Sequence, residues 1–164
     1  MNLSFQNKRV IVTGGSGFLG SAIVKALLDA GATCEVTWID EKELARLPQH
    51  DRVRPHQVNA SDESSVTKFY AQFGDLWASI HTVGGFAMAP ASQTSAEQFR
   101  NMFELNAVSC FLCSREAINA MRRGSAGGRI VNVAALPAAQ PTGGMIAYST
   151  SKAAVASITQ SLAE

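Results

Sequence analysis

KRVIVTGGSGFLGSAIVKALLDAG, residues 8–31, begins as an apolar run, breaks at glycines and resumes with a different period. KRVIVTG has the length and composition of a buried strand. The apolar spacing of FLGSAIVKALLDAG is that of a helix, closed by Gly31. Between them TGGSGFLG, residues 13–20, sets Gly14, Gly17 and Gly20 at the strand-to-helix turn. Glycines there allow a tight turn, a close backbone approach to a pyrophosphate, and close packing of helix on strand. The helix N-terminus adds unpaired N–H groups and a positive dipole end. A glycine triplet alone is weak; after a strand and at the opening of a helix it has the context that dinucleotide binding requires.

The alternation continues along the chain. TCEVTWID reads as a second strand and DRVRPHQVN as a third. SDESSVTKFYAQFG reads as a helix with its N-cap at Ser61 or Asp62, running to Gly74. LWASIHTVGG is a fourth strand ending at a double glycine, and a long helix is expected from about Ser95 to Arg123. GGRIVNVAAL is a fifth strand and GMIAYSTSKAAVASITQSLAE a final helix. Strands and helices in this order imply βαβ units, hence a parallel sheet covered on both faces. There is no internal repeat, low-complexity tract or linker, and GSAGG (124–128) and PTGG (141–144) read as loops. The sequence reaches SLAE without a helix-ending signal, so the expectation is a single domain, 1–164, whose C-terminal part is missing.

Composition narrows the function. Charged residues are 16% of the 164, below the usual quarter, and the formal net charge is +1. Neither nucleic acid nor a membrane surface has an electrostatic reason to bind. No apolar run has the length of a membrane span, and the N-terminus lacks the apolar core of a signal peptide, so a cytoplasmic address is expected. Three cysteines argue against a disulfide framework. Cys110 and Cys113 form a C-x-x-C inside a helical stretch, without the second ligand pair of a zinc site, and read as small apolar side chains. His50, His56 and His81 have no metal-ligand spacing, and His81 reads as a buried, hydrogen-bonded core residue.

Two further features carry chemistry. Asp40 ends the second strand roughly 20 residues beyond the glycines, where an acid hydrogen-bonds the adenosine ribose. A carboxylate there also repels a 2′-phosphate, so NAD(H) is expected over NADP(H); the alternative is that Asp40 caps the turn before EKELARL. In IAYSTSKAAV (146–155), Tyr148 and Lys152 stand one turn apart on one helix face. A phenol is a weak base at neutral pH, and an adjacent ammonium favours its phenolate. The pair is either a surface contact or a proton-handling device.

Glycine loop, acid and Tyr-x-x-x-Lys in this order make the chain resemble the short-chain dehydrogenase/reductase family over its whole length. VGGF (83–86) resembles the family's Asn-Ala-Gly stretch, Asn106 in FELNAVSCF its helical asparagine, and YSTSK its catalytic helix. The resemblance implies a three-layer, Rossmann-type doubly wound sheet in the order 3-2-1-4-5, without the family's C-terminal strands. It implies an oxidoreductase moving hydride between nicotinamide and a carbonyl/alcohol substrate, with Tyr148 as acid/base. Lys152 would hold the nicotinamide ribose, and Asn106 would support a water leading protons to Lys152. The cofactor would contact Gly14, Ser16, Gly17, Phe18, Leu19, Gly20, Asp40, Asn59, Val83, Gly84 and Gly85, besides Tyr148 and Lys152. Homodimers or homotetramers would form through the helices at 95–123 and 147–163.

The chain also departs from the family pattern. The position of the catalytic serine falls on Ala135, and Thr142 is the nearest hydroxyl in sequence. Phe18 brings the glycine spacing closer to the extended branch of the family, and His81 and Thr82 stand where asparagines are usual. Ala135, GMIAYSTSKAAV and ASIHTVGGFA resemble the dihydropteridine reductase branch, whose quinonoid substrate does not need the serine. Two alternatives to the carbonyl reductase follow: a pteridine reductase, or a dinucleotide-binding relative without turnover.

Overall fold

The computed structural model describes residues 4–124 and 127–163. Met1 to Leu3, Ser125 and Ala126 of the GSAGG loop, and Glu164 at the end of SLAE lie outside the described residues. Five strands, β1 (Arg9–Thr13), β2 (Thr33–Trp38), β3 (Val53–Gln57), β4 (Leu76–His81) and β5 (Arg129–Asn132), form one parallel sheet in the order β3-β2-β1-β4-β5. This is the Rossmann-type order that the family resemblance implies. The helices are α1 (Phe18–Asp29), α2 (Glu63–Tyr70), α3 (Ala96–Phe103), α4 (Ser109–Arg123), α5 (Leu136–Ala139) and α6 (Ile146–Ser161).

Strand alternation decides which residues meet which layer. On β1, Val10 and Val12 join Val24, Leu27 and Leu28 of α1 in one apolar cluster. Ile11 points the other way and joins Phe69 and Tyr70 of α2 with Leu112, Cys113 and Ala117 of α4. Both faces of β1 are fully covered, as a central parallel strand requires. Its two neighbours, β2 and β4, lead away in opposite directions, so a crevice opens beyond the C-terminal end of β1. The glycine loop lies there.

Several boundaries differ from the sequence reading. The 95–123 stretch is not one uniform α-helix: a π-helical turn, Glu104–Val108, separates α3 from α4. Asp62, one of the two N-cap candidates, caps α2 by accepting from Ser65 N at 2.7 Å. The fifth strand ends at Asn132, and Pro137 near the start of α5 turns the following residues into a short helix.

One buried charge cluster ties three strands. Glu35 of β2, 1% exposed, accepts from Arg9 of β1 and pairs with His56 at 2.7 Å and Arg54 at 3.4 Å, both on β3. Burial alone would raise the Glu35 pKa; the His56 hydrogen bond and the Arg9, His56 and Arg54 charges outweigh it and lower it. A carboxyl lowered on folding contributes stability above its unfolded pKa and loses it as pH falls through the folded value. Glu35→Gln is expected to cost about 1–3 kcal/mol at pH 7, because three donors lose their charged acceptor. Urea denaturation across pH should show the gap to wild type closing below the ordinary glutamate value of 4.5. A gap that persists unchanged in acid would contradict this assignment.

The contact of α1 with β1 depends on Gly20. A Cβ there would lie 2.4 Å from Gly14 O and 2.5 Å from Gly15 Cα, backbone atoms that no rotamer change can move. A Cβ at Gly17 would meet only Gly14 O, at 3.2 Å, and Gly17 has an ordinary φ of −68°. Gly20→Ala is therefore expected to cost more than about 2 kcal/mol in denaturant unfolding, and Gly17→Ala about 1 kcal/mol or less. Equal costs would show that the crossing is not limited by Gly20.

Candidate active site

The glycine loop is fixed from two sides. Gly14 sits at φ +67°, in the left-handed region, where a side chain would be strained. Its N–H donates to Thr37 Oγ1 of β2 at 2.9 Å, and its carbonyl accepts from Gly17 N at 3.0 Å and Thr82 Oγ1 at 3.1 Å. The loop is thereby tied to β2 and to the segment after β4. No side chain caps α1 at Gly17, and its first turn carries no acid. Its N–H groups and positive end are left for an anion.

A cleft of about 220 Å³ runs beside this loop, bounded by Gly14, Ser16, Gly17, Trp38, Glu43 and Gly84 among others. Thr82 and Val83 line it too. Phe18 and Leu19, at the opening of α1, are exposed by 83% and 52%. Asn59 lies past β3, where its Oδ1 accepts from Ser61 N at 3.0 Å. Asp40 caps the 3-10 turn Glu41–Arg46, accepting from Lys42 N at 3.0 Å, which is the capping role weighed for it above. The carboxylate bordering the cleft is Glu43, which sequence spacing did not single out.

The second half of the site is built around Asn106, in the π turn. Its Nδ2 donates to Gly85 O at 3.1 Å and Ser151 Oγ at 3.0 Å, while Oδ1 accepts from Gly85 N at 3.1 Å. A Cβ on Gly84 would stand 2.6 Å from Asn106 Oδ1 and 3.2 Å from Lys152 Nζ, so that glycine lets the two side chains reach the turn after β4. Lys152 is 6% exposed and donates to Val133 O at 2.8 Å, beyond the end of β5. Burial lowers its pKa, with the Cys110 charge as the opposing influence. Since burial also raises the Cys110 pKa, a neutral thiol there gives the ammonium little help. Lys152 is therefore an enclosed amine rather than a solvated surface residue. Tyr148 is half-buried, its ring edge-on to Phe86 with centroids 4.9 Å apart.

Ala135 is the extended residue before α5 and offers no hydroxyl; Thr142 donates to Gln140 O at 3.4 Å. His81, 4% exposed, is the hydrogen-bonded core residue expected. Its Nε2 lies 2.9 Å from Ser79 Oγ and its Nδ1 2.7 Å from Asn132 Oδ1. Asn132 Nδ2 donates to Thr159, so Oδ1 faces the imidazole and the proton belongs on His81 Nδ1. Burial pushes the His81 pKa down to about 4, against the Asn132 hydrogen bond, which keeps the ring neutral. Cys34, Cys110 and Cys113 are buried free thiols, and burial pushes Cys113 up to about 12. Among the described residues there is no group of three or more His, Cys, Asp and Glu side chains placed to hold a metal ion.

The family described as short chain dehydrogenase matches residues 8–164. A short chain dehydrogenase/reductase of Aspergillus versicolor is 30% identical, over 96% of this chain and 59% of its own length. A short-chain type dehydrogenase/reductase from Mycobacterium ulcerans superposes with a TM-score of 0.90 at 25% identity, covering 98% of this chain and 63% of that one. BdcA, solved in complex with NADPH, does so with a TM-score of 0.86 at 27% identity, covering 97% and 65%. The chain thus spans about three fifths of the length of these relatives. With the family model matching residues 8–164 and the fold superposing on a solved member, the chain belongs to the short-chain dehydrogenase family.

Proposed function

We propose that the chain acts as one dinucleotide-binding unit of an oxidoreductase that interconverts a carbonyl and an alcohol, using NAD(H), with Tyr148 as acid/base. The observation that carries the reading is the junction of Gly84, Asn106 and Lys152, which joins the glycine-lined cleft to the helix bearing Tyr148. The fit to a dinucleotide rests on Gly14 and Gly20, where a Cβ would strike backbone or neighbouring side chains, and on the uncapped start of α1. The bound nicotinamide would supply or accept the hydride.

The chain's own groups do the rest. The N–H groups opening α1, with Gly14, Ser16, Gly17, Phe18, Leu19 and Gly20, hold the pyrophosphate, and Val83, Gly84 and Gly85 border the cofactor further along. Asn59 bounds the adenosine end. Tyr148 gives its proton to the substrate oxygen in reduction and takes it back in oxidation. Lys152 uses one of its three donors on Val133 O, leaving the others for the nicotinamide ribose, and its charge favours the phenolate. The Asn106 amide is engaged on Gly85 and Ser151, so the water leading to Lys152 is left to the carbonyls of its π turn.

The choice of NAD(H) is supported by the acidic border of the cleft, which includes Glu43 and no lysine or arginine among the described lining residues. The relative solved with NADPH means that family likeness alone does not select the cofactor. Leu105 and Phe111, exposed on the long helix, support assembly into dimers or tetramers through 95–123 and 147–163. No helix among the described residues is long and apolar enough to cross a membrane, and a cytoplasmic address belongs to this reading.

The test is NADH oxidation against ketones, aldehydes and a quinonoid pterin. Tyr148→Phe is expected to lower kcat by roughly a hundredfold or more while NADH affinity stays within about threefold. Retained turnover in Tyr148→Phe contradicts the assignment. Ala135 favours one second reading, a conjugated quinonoid substrate whose reduction needs no extra hydroxyl. Ala135→Ser should speed ketone reduction by roughly tenfold to a hundredfold if an oxyanion develops there. If the natural substrate is quinonoid, the pterin rate should exceed every ketone rate and not rise in that variant.

A further inference from the structure

The glycine loop carries a clasp that the family pattern does not explain. Ser16, 1% exposed, donates from its hydroxyl to Glu43 Oε2 at 2.8 Å. Arg46 Nη1 pairs with Glu43 Oε1 at 3.0 Å and donates to Ser16 O at 3.3 Å. Its guanidinium lies 4.3 Å from the centre of the exposed Phe18 ring. The 3-10 turn after β2 is thus fastened onto the loop before α1 by one carboxylate and one guanidinium. Asp40, at the start of the same turn, has one carboxylate oxygen engaged on Lys42 N.

Resting on the dinucleotide reading above, we propose that Glu43, not Asp40, selects the cofactor, by withholding Arg46 and Ser16 from a 2′-phosphate. In a doubly wound sheet the adenosine ribose lies at the end of β2, and Glu43 borders the cleft there. Its carboxylate accepts from a ribose hydroxyl but repels a phosphate. It also occupies the two groups that would otherwise bind one: the Ser16 hydroxyl and the Arg46 fork, which suits phosphate oxygens. Removing the single negative charge therefore changes two things together. The repulsion disappears, and a preformed donor pair is released within reach of the cleft. NADH and NADPH differ only in that phosphate, so the ratio of their affinities reads the clasp directly.

The experiment is fluorescence titration of NADH and NADPH against the wild-type protein, Glu43→Gln, Glu43→Gln/Arg46→Ala and Asp40→Asn, each confirmed folded by its unfolding transition. Wild type should prefer NADH. Glu43→Gln should shift the affinity ratio toward NADPH by at least roughly tenfold, and the double variant should lose that gain. Asp40→Asn, which preserves the cap, should move the ratio by less than about threefold. The proposal is overturned if Glu43→Gln leaves the ratio unchanged, if the double variant keeps the gain, or if Asp40→Asn shifts it equally. Failure of every variant, wild type included, to bind either dinucleotide overturns the functional reading and the clasp with it.

Discussion

The Asn106 side chain is the constraint on which the rest of the site depends. Buried to 1% exposure, its amide must pair, and it does so with the N–H and the carbonyl of Gly85 and with Ser151 Oγ. Those three bonds join the turn after β4, the long helix and α6. Gly84 fits only because nothing projects from it, and Lys152 closes in from the other side. The wider π turn at Glu104–Val108 carries Asn106 at this junction, and such a turn inside a helix is frequently a functional feature.

Around this junction the molecule keeps two kinds of polar group apart. Glu35 with its Arg9, Arg54 and His56 partners, and His81 with Ser79 and Asn132, are networks that bind strand to strand. They lie within strands and not on the loops beyond their ends. The groups left with spare capacity lie at the strand ends: the N–H groups opening α1, the half-buried Tyr148, and Lys152, with donors beyond the one on Val133. This division follows from the doubly wound topology, which buries the central strands and exposes the crevice where their order reverses.

Most of the frame was legible because it rests on periodicity and glycine. Val10, Ile11 and Val12 form one buried run, and Gly14 to Gly20 break it with the chemistry of a strand-to-helix turn. His81 was readable as core because a lone histidine in an apolar strand has few other fates. The π turn was not legible: ELNAV contains no glycine or proline to interrupt the helix, and the turn coincides with bonds that Asn106 makes across 21 residues to Gly85. Glu43 was missed for a related reason. Spacing from the glycines drew attention to Asp40, whereas the clasp depends on how the 3-10 turn folds back over Ser16, a tertiary fact with no local signature. The importance of Asn106 itself came from family resemblance and not from any pattern in its neighbourhood.

The central claim is that the glycine cradle and the Tyr148 helix form one site, joined through Asn106. Site-resolved amide hydrogen exchange, with and without saturating NADH, tests it most directly, since it needs no knowledge of the substrate. Binding is predicted to increase protection both at residues 14–20 and, on the other side of Asn106, at residues 82–85 and in the first turns of α6. Protection confined to the glycine loop, or no change at either half, would contradict it.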